Sequence, residues 1–138
     1  MDVLFFLKIY LTGLATILFL DFLWLGIFAN KFYKKELGDL VRLKGDKFDP
    51  VWPAAIAVYL LAVVGIIVFV LPLAQGSAAR GLIFGGLFGF VGFSIYDFTN
   101  LSTIKNWSVS LTYIDLAWGT FNCGVTSAVL TLVSAYLA

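Results

Sequence analysis

The sequence predicts an all-α membrane protein, a polytopic antiparallel bundle of four transmembrane helices with a short amphipathic helix in the first loop. The 138-residue chain is 62% apolar and only 12% charged, whereas about half of the residues in soluble domains are apolar. Four apolar segments reach the roughly 20 residues that a membrane helix requires. A single sizeable hydrophilic stretch interrupts them. We therefore expect one transmembrane domain over residues 1–138.

The four predicted spans cover residues 4–29, 52–73, 82–100 and 109–137. The first run is longer than the apolar core of a signal peptide, so it is expected to remain as a membrane helix. Pro53 fits the first turn of the second span, where a helix needs no N–H. Pro72, followed by Ala-Gln-Gly-Ser, marks a short turn, so the second and third spans are expected to be antiparallel.

The hydrophilic stretch, residues 30–50, carries six basic and four acidic side chains. Within it, helical spacing relates Tyr33, Leu37, Leu40, Val41 and Lys44. This spacing predicts a short amphipathic helix on the membrane surface. A solvated loop is the alternative, because Gly38 weakens a helix by about 1 kcal/mol.

Basic residues are distributed unequally between the two ends of the bundle. Lys8 and Arg80 lie at one end, and the other seven basic residues fall in the first and third loops. Loops that carry more Lys and Arg face the cytoplasm. The sequence therefore predicts cytoplasmic first and third loops, with both termini outside.

The third span begins as a glycine-rich run. Gly81, Gly85 and Gly89 repeat every four residues, and Gly92 follows three residues later. On a helix these glycines form a smooth face that allows another backbone to approach closely. We therefore expect this span to be the central helix.

Three aspartates fall within predicted spans: Asp21, Asp97 and Asp115. At 1.5 Å per residue, Asp21 lies about 13 Å before Asn30, and Asp115 lies about 9 Å beyond Val109. Asp97 is near the end of its span, so all three approach the same, cytoplasmic side. An acid facing lipid costs roughly 2.5 to 3.5 kcal/mol. We therefore expect the three carboxyl groups to turn inward and share one cavity.

Polar neighbours of these acids suggest a binding site. One stripe of polar and small side chains on the fourth span consists of Asp115, Trp118, Gly119, Asn122 and Thr126. The first and fourth spans both carry Asp-x-x-Trp, and an indole N–H can donate to a carboxylate, although a Trp near the interface also serves as a membrane anchor. The predicted ligand- or proton-binding residues are Asp21, Trp24, Tyr96, Asp97, Asn100, Asp115, Trp118 and Asn122.

Each acid also has a structural interpretation. Asp97 could cap its helix end by accepting bonds from nearby Thr and Asn side chains. Asp115 lies in the first two turns of its helix, where the dipole favours a negative charge. Asp21 is the deepest and has no basic neighbour on its own helix, so it is either protonated, paired with a distant cation such as Lys105, or functional. We expect Asp21 to be the member of the group that titrates.

Four segments together resemble a known family. They are DFLWLG at 21–26, FYKKELG at 32–38, YDFTNLST at 96–103 with Trp107, and DLAWG at 115–119. The sequence resembles the DUF2177-like family of small bacterial four-helix integral membrane proteins, a domain of unknown function. The resemblance covers essentially the whole chain, and YDFTN is its most specific part. It implies a multi-pass protein of the bacterial cytoplasmic (inner) membrane and assigns no residue a role.

Three classes of function stay open. Binding or transport of a small ligand or protons leads, because the chain combines a buried acid with a glycine-faced helix. An accessory subunit is the second class; its docking surface would be the glycine face together with Gly124, Ala128, Thr131 and Ala135. The third class is a metal-dependent enzyme acting on a lipid or phosphate substrate. The acids are not clustered in the sequence, which argues against this class.

Composition limits the partners. The chain has no histidine and one cysteine, so the usual zinc ligand sets are lacking and we expect no metal site and no cofactor. A net charge of +1 without an extended basic surface gives no reason to expect nucleic acid. The expected partners are the lipid bilayer and either a second copy of the chain or another membrane protein.

Overall fold

The computed structural model of the protein describes residues 2–138, and the all-α fold class is confirmed. In this part of the chain four helices are long and apolar enough to cross a membrane: Val3–Phe28, Trp52–Ala74, Ala78–Thr103 and Val109–Leu137. We call them the first to fourth spans. The α-helices, in chain order, are α1 Val3–Leu23, α2 Asn30–Leu37, α3 Trp52–Gly65, α4 Leu71–Ala74, α5 Ala78–Thr103 and α6 Val109–Leu137.

The third span is longer than predicted at both ends. Its start is capped by Ser77, whose hydroxyl accepts the backbone N–H of Arg80. At its other end the hydroxyls of Ser102 and Thr103 both donate to the carbonyl of Thr99. Polar residues that bond to their own helix can extend it beyond the apolar run that hydropathy detects.

Most of the surface of the spans is apolar, as a lipid environment requires. Leu61 and Phe69 of the second span are 69% and 64% exposed. The interior is a small cluster shared by the first, second and fourth spans, in which Ile9, Ile66 and Leu130 are fully buried.

The third and fourth spans make the closest helix contact, at the predicted glycines. A Cβ added at Gly89 would overlap the carbonyl of Gly119, and one added at Gly85 would overlap the side chain of Ser127. A Cβ at Gly81 would collide with Thr131. The prediction that these three glycines admit a neighbouring backbone is therefore confirmed.

The prediction was wrong for Gly92, which is exposed and has nothing within 4 Å of an added Cβ. The contact follows a row of residues four apart, which continues from Gly89 to Phe93 and Asp97. Phe93 lies over Gly119, and Asp97 is fully buried. A step of four residues exceeds one turn of 3.6 residues, so the row winds slowly around the helix. The fourth span packs along this row instead of along one straight face of the third span.

The small residues proposed to dock partner helices are largely used within the chain. Gly81 lies against Ala128 and Thr131, and an added Cβ on Gly124 would meet the carbonyl of Leu82. Ala135 is exposed. The predicted docking surface is therefore mostly the internal contact between the third and fourth spans.

The first loop contains the predicted helix, α2, but that helix is shorter than its pattern suggested. It ends at Leu37, because Gly38 takes a φ of 53° and starts a single 3₁₀ turn, Gly38–Leu40. The expectation that Leu40, Val41 and Lys44 continue the helix face was wrong.

The chain forms a hairpin after this turn, which the sequence analysis did not predict. Strands β1 Leu43–Lys44 and β2 Lys47–Phe48 pair antiparallel. Gly45 takes a φ of 62° at the first central position of the two-residue turn, where such turns favour glycine. Lys34 of α2 donates to the carbonyl of Asp46 and lies 5.4 Å from the centre of the Phe48 ring, which attaches the hairpin to α2.

Two spans contain a widened π-helical turn. In the second span, Ile66–Val70 precedes Pro72, whose ring excludes a regular bond to the carbonyl four residues before it. In the first span the widened turn is Trp24–Phe28, and the side-chain amide of Asn30 donates to the carbonyl of Leu25 at 2.9 Å. This amide supplies a partner that the irregular backbone would otherwise lack.

Candidate functional site

Asp21 is the centre of a hydrogen-bonded cluster that joins three spans. Its Oδ1 accepts the indole N–H of Trp118 at 2.7 Å and the side-chain amide of Asn122 at 3.0 Å. Its Oδ2 accepts the hydroxyl of Tyr59 in the second span at 2.6 Å. The Asn122 oxygen in turn accepts the hydroxyl of Thr126 at 3.4 Å, which orients the amide. All three donors to Asp21 are neutral, and Lys105, the cation considered for pairing, is exposed in the third loop.

Asp115 is held by the first loop. The hydroxyl of Tyr33 in α2 donates to Asp115 Oδ1 at 2.6 Å and accepts the indole N–H of Trp24 at 3.2 Å. Burial raises the pKa of Tyr33 far above its ordinary value, and the neighbouring Asp115 carboxylate raises it further. The phenol therefore stays protonated and keeps donating to Asp115, which ties the loop to the fourth span.

The tryptophan of each Asp-x-x-Trp segment is hydrogen-bonded, directly or through one side chain, to the aspartate of the other segment. Trp118 donates to Asp21 directly, and Trp24 reaches Asp115 through Tyr33. The two indole rings stack with centroids 4.6 Å apart and planes 6° from parallel. Because the first and fourth spans are antiparallel, the Asp of each lies level with the Trp of the other.

Asp97 is sealed inside the protein next to Asp115. Its exposure is 0%, and neither of its oxygens accepts a hydrogen bond from any donor of residues 2–138. Its polar neighbour is the carboxyl group of Asp115. The alternative interpretation, in which Asp97 caps the helix end, was wrong, because the nearby hydroxyls of Ser102 and Thr103 bond to the carbonyl of Thr99 instead.

An open cavity of about 770 Å³ lies beside this cluster, between the first loop and the four spans. We call it the carboxylate cavity. Of the predicted site residues, those that line it are Asp21, Tyr96, Asp115 and Trp118. The remaining four predicted residues are Trp24, Asp97, Asn100 and Asn122.

These four residues do not line the cavity; they lie next to residues that do. Trp24 stacks on Trp118, and the buried side-chain amide of Asn122 donates to Asp21. Asn100 adjoins the hydroxyl of Tyr96. The structure thus gathers the predicted residues at one end of the bundle. The expectation that the three carboxyl groups share one cavity was wrong for Asp97, which is fully buried and does not line it. The expectation that Asp21 is the titrating member stays a prediction.

Sequence reasoning missed three residues of this site. Tyr33 and Tyr59 donate to the two carboxylates, and Arg42 lines the cavity from the loop. Tyr59 had a usable signal, since it is a rare hydroxyl in a span whose mean hydropathy is 3.0. For Tyr33 the signal was the apolar face of α2. Arg42 had none, because its position follows from the unpredicted hairpin.

The acids do not form a compact ligand group for a metal. Within residues 2–138, no group of three or more His, Cys, Asp and Glu side chains could hold a metal ion. Cys123 is a free thiol buried in the fourth span.

One of the three comparisons with known proteins gives a match, to a family of predicted membrane proteins. No curated protein and no solved structure matches the chain. Residues 6–132 match the family model described as "Predicted membrane protein (DUF2177)". This match confirms the resemblance and includes the loop and every residue of the carboxylate cluster. The chain therefore belongs to the DUF2177 family of predicted membrane proteins.

Proposed function

We propose that the protein binds a small lipophilic ligand in the carboxylate cavity, and that this is the site from which a ligand or a proton is carried across the membrane. The observation that supports the proposal is the coincidence of an open cavity with two carboxylates, Asp21 and Asp115, in its lining. Each carboxylate is positioned by hydrogen bonds from residues distant in sequence. Such groups give a ligand a fixed point of attachment.

The size and lining of the cavity suit a small molecule. Ligand sites are usually 300 to 1,000 Å³, mostly apolar, with a few placed polar groups, and this cavity of about 770 Å³ has a predominantly apolar lining. Leu18 and Phe22 contribute from the first span, and Leu111 contributes from the fourth. A lipophilic group would therefore find apolar walls close to the carboxylates.

The first loop supplies a structural element that can respond to a ligand. Tyr33 donates to Oδ1 of Asp115, so a ligand that takes this oxygen would compete with the attachment of α2. Transport requires such a coupling between binding and a movement. This coupling favours transport over simple binding.

We further infer the membrane and the orientation. The family resemblance and the excess of basic residues in the first and third loops support the cytoplasmic (inner) membrane of a bacterium, with both termini outside. Lys31, Lys35 and Lys44 of the first loop are exposed, as contact with a charged cytoplasmic surface requires. The carboxylate cavity would then open near the cytoplasmic side.

A cavity-filling substitution tests the proposed function. Ala55 of the second span lines the cavity, whereas Ala57, two residues on, is exposed on the outside of the bundle. The neutral fluorophore N-phenyl-1-naphthylamine should show saturable energy transfer from tryptophan in lipid nanodiscs with the unmodified protein and with Ala57→Trp. Ala55→Trp should abolish the saturable part. Equal saturable signals in both variants, or none in the unmodified protein, would contradict ligand binding in this cavity.

A further inference from the structure

We propose that the ligand of the carboxylate cavity is an organic cation, an amine or quaternary ammonium group attached to a lipophilic body. This inference rests on the proposed function and names the class of its ligand. It follows from the charges around the cavity, from the surroundings of Asp97 and from the aromatic rings of the lining.

The ionisable groups around the cavity are mostly acids and phenols. Asp21 comes from the first span and Asp115 from the fourth, while Tyr33, Tyr59 and Tyr96 come from α2, the second span and the third span. The cation of the lining is Arg42, which belongs to the loop and is exposed. Since water screens an exposed charge far more than a buried one, Arg42 offsets little of the inner negative charge.

The two lining carboxylates are bonded only by neutral groups. Asp21 receives a phenol, an indole and an amide, and Asp115 receives the phenol of Tyr33. Such donors orient a carboxyl group, but they bring no positive charge to balance it. The cavity therefore attracts a positive group, and the attraction is strong where the surroundings are apolar.

The surroundings of Asp97 lead to the same conclusion. Asp97 is completely buried, has no hydrogen-bond donor among residues 2–138, and lies against Asp115. Carboxyl groups in contact repel each other when both are charged. A cation at Asp115 would reduce that repulsion, whereas an anion would increase it.

The rings of the lining are also suited to a cation. Trp118, Tyr59, Phe93 and Tyr96 contribute to the wall beside the carboxylates. Aromatic faces attract ammonium groups, and quaternary ammonium ligands are commonly bound among such rings. An amine that reached Asp21 would lie among aromatic rings, while its apolar part would contact the leucine and phenylalanine side chains of the first span.

The test compares two ligands that differ only in charge. Dodecyltrimethylammonium and its uncharged isostere, in which carbon replaces nitrogen in the head, are added to the protein in nanodiscs, and binding is measured by equilibrium dialysis against empty nanodiscs. The ammonium compound should bind at least about tenfold more tightly, which corresponds to about 1.4 kcal/mol. Asp21→Asn and Asp115→Asn, each checked for folding by thermal unfolding, should reduce this ratio toward one.

Arg42→Gln is the control variant, because it removes the cation of the lining instead of an acid. Removing this cation should keep or increase the preference for the ammonium compound. If Arg42→Gln reduces the preference, or if both compounds bind equally to the unmodified protein, the cation proposal is wrong. Equal binding that Ala55→Trp abolishes would leave the proposed ligand site intact. Binding unaffected by Ala55→Trp would instead contradict the proposed site itself.

Discussion

Trp118 donates its indole N–H to the carboxylate of Asp21 at 2.7 Å, across 97 residues of sequence. This bond joins the first and fourth spans at the carboxylate cavity. Ionisation of Asp21 would strengthen it, because a hydrogen bond to a charged group is stronger than one between neutral groups. Its neighbour Trp24 stacks on Trp118 without bonding to Asp21. The stacked pair therefore provides an internal comparison.

A double-mutant cycle should measure the bond between these two residues. Trp118→Phe removes the donor and keeps a ring, and Asp21→Asn removes the charge. We expect a coupling of about 1 to 2 kcal/mol in the free energy of unfolding in detergent. The cycle of Trp24→Phe with Asp21→Asn should give a smaller coupling. Equal couplings would mean that ring packing, not the hydrogen bond, connects the spans.

Asp97→Asn should leave the protein at least as stable as the unmodified chain. The substitution gives the buried group an N–H₂ that can donate to Asp115, where two carboxyl groups now meet. Asp97→Leu is the control. It offers no donor to Asp115, so it should be less stable than Asp97→Asn. A loss of more than about 1 kcal/mol in Asp97→Asn would show that the Asp97 carboxylate has a stabilising partner.

Gly89→Ala should destabilise the bundle, whereas Gly92→Ala should not. Alanine is normally better than glycine in a helix by roughly 0.5 to 1 kcal/mol, and Gly92 has free space around an added Cβ. At Gly89 the methyl group would overlap the carbonyl of Gly119, and such overpacking costs about 1 to 3 kcal/mol. Thermal unfolding in detergent measures the stability of both variants. Similar stabilities for the two variants would contradict the close contact of the third and fourth spans.

Docking of α2 should weaken at alkaline pH. The pKa of Tyr33 is raised in the folded protein above its ordinary value of 10.0, so the undocked phenol loses its proton first. The contribution of Tyr33 is therefore fully present below about pH 10 and declines as the pH rises above it. Amide hydrogen exchange of residues 30–37, corrected for the intrinsic pH dependence, should show this loss in the unmodified protein. Tyr33→Phe should remove the pH dependence, and an unchanged dependence would assign it to another group.

Accessibility labelling tests the orientation. In a Cys123→Ser background, a cysteine at position 44 should react from the cytoplasmic side, and one at position 138 should react from the opposite side. Both native residues are exposed, and Cys123 is buried. Labelling of both positions from one side would contradict an even number of spans.

Local pattern was sufficient to predict the four spans and the inward face of the fourth span. The lengths of the apolar runs determine four spans, and the stripe from Asp115 to Thr126 determines which side of the fourth span turns inward, where Asn122 and Thr126 are indeed buried. The four-residue repeat from Gly81 to Gly89 likewise marks a close helix contact. These properties depend on residues near one another in the chain, so the sequence alone reveals them.

The partners across helices were decided only by the tertiary structure. The sequence shows that Asp21 and Asp115 are costly in a membrane, but not that Tyr59 and Tyr33 donate to them, because the axial alignment of one helix against another depends on packing along their whole length. The burial of Asp97 has the same origin, since the fourth span follows the row of residues that contains it. Helical periodicity determines the direction in which a side chain points, and the packing of the spans determines what it meets there.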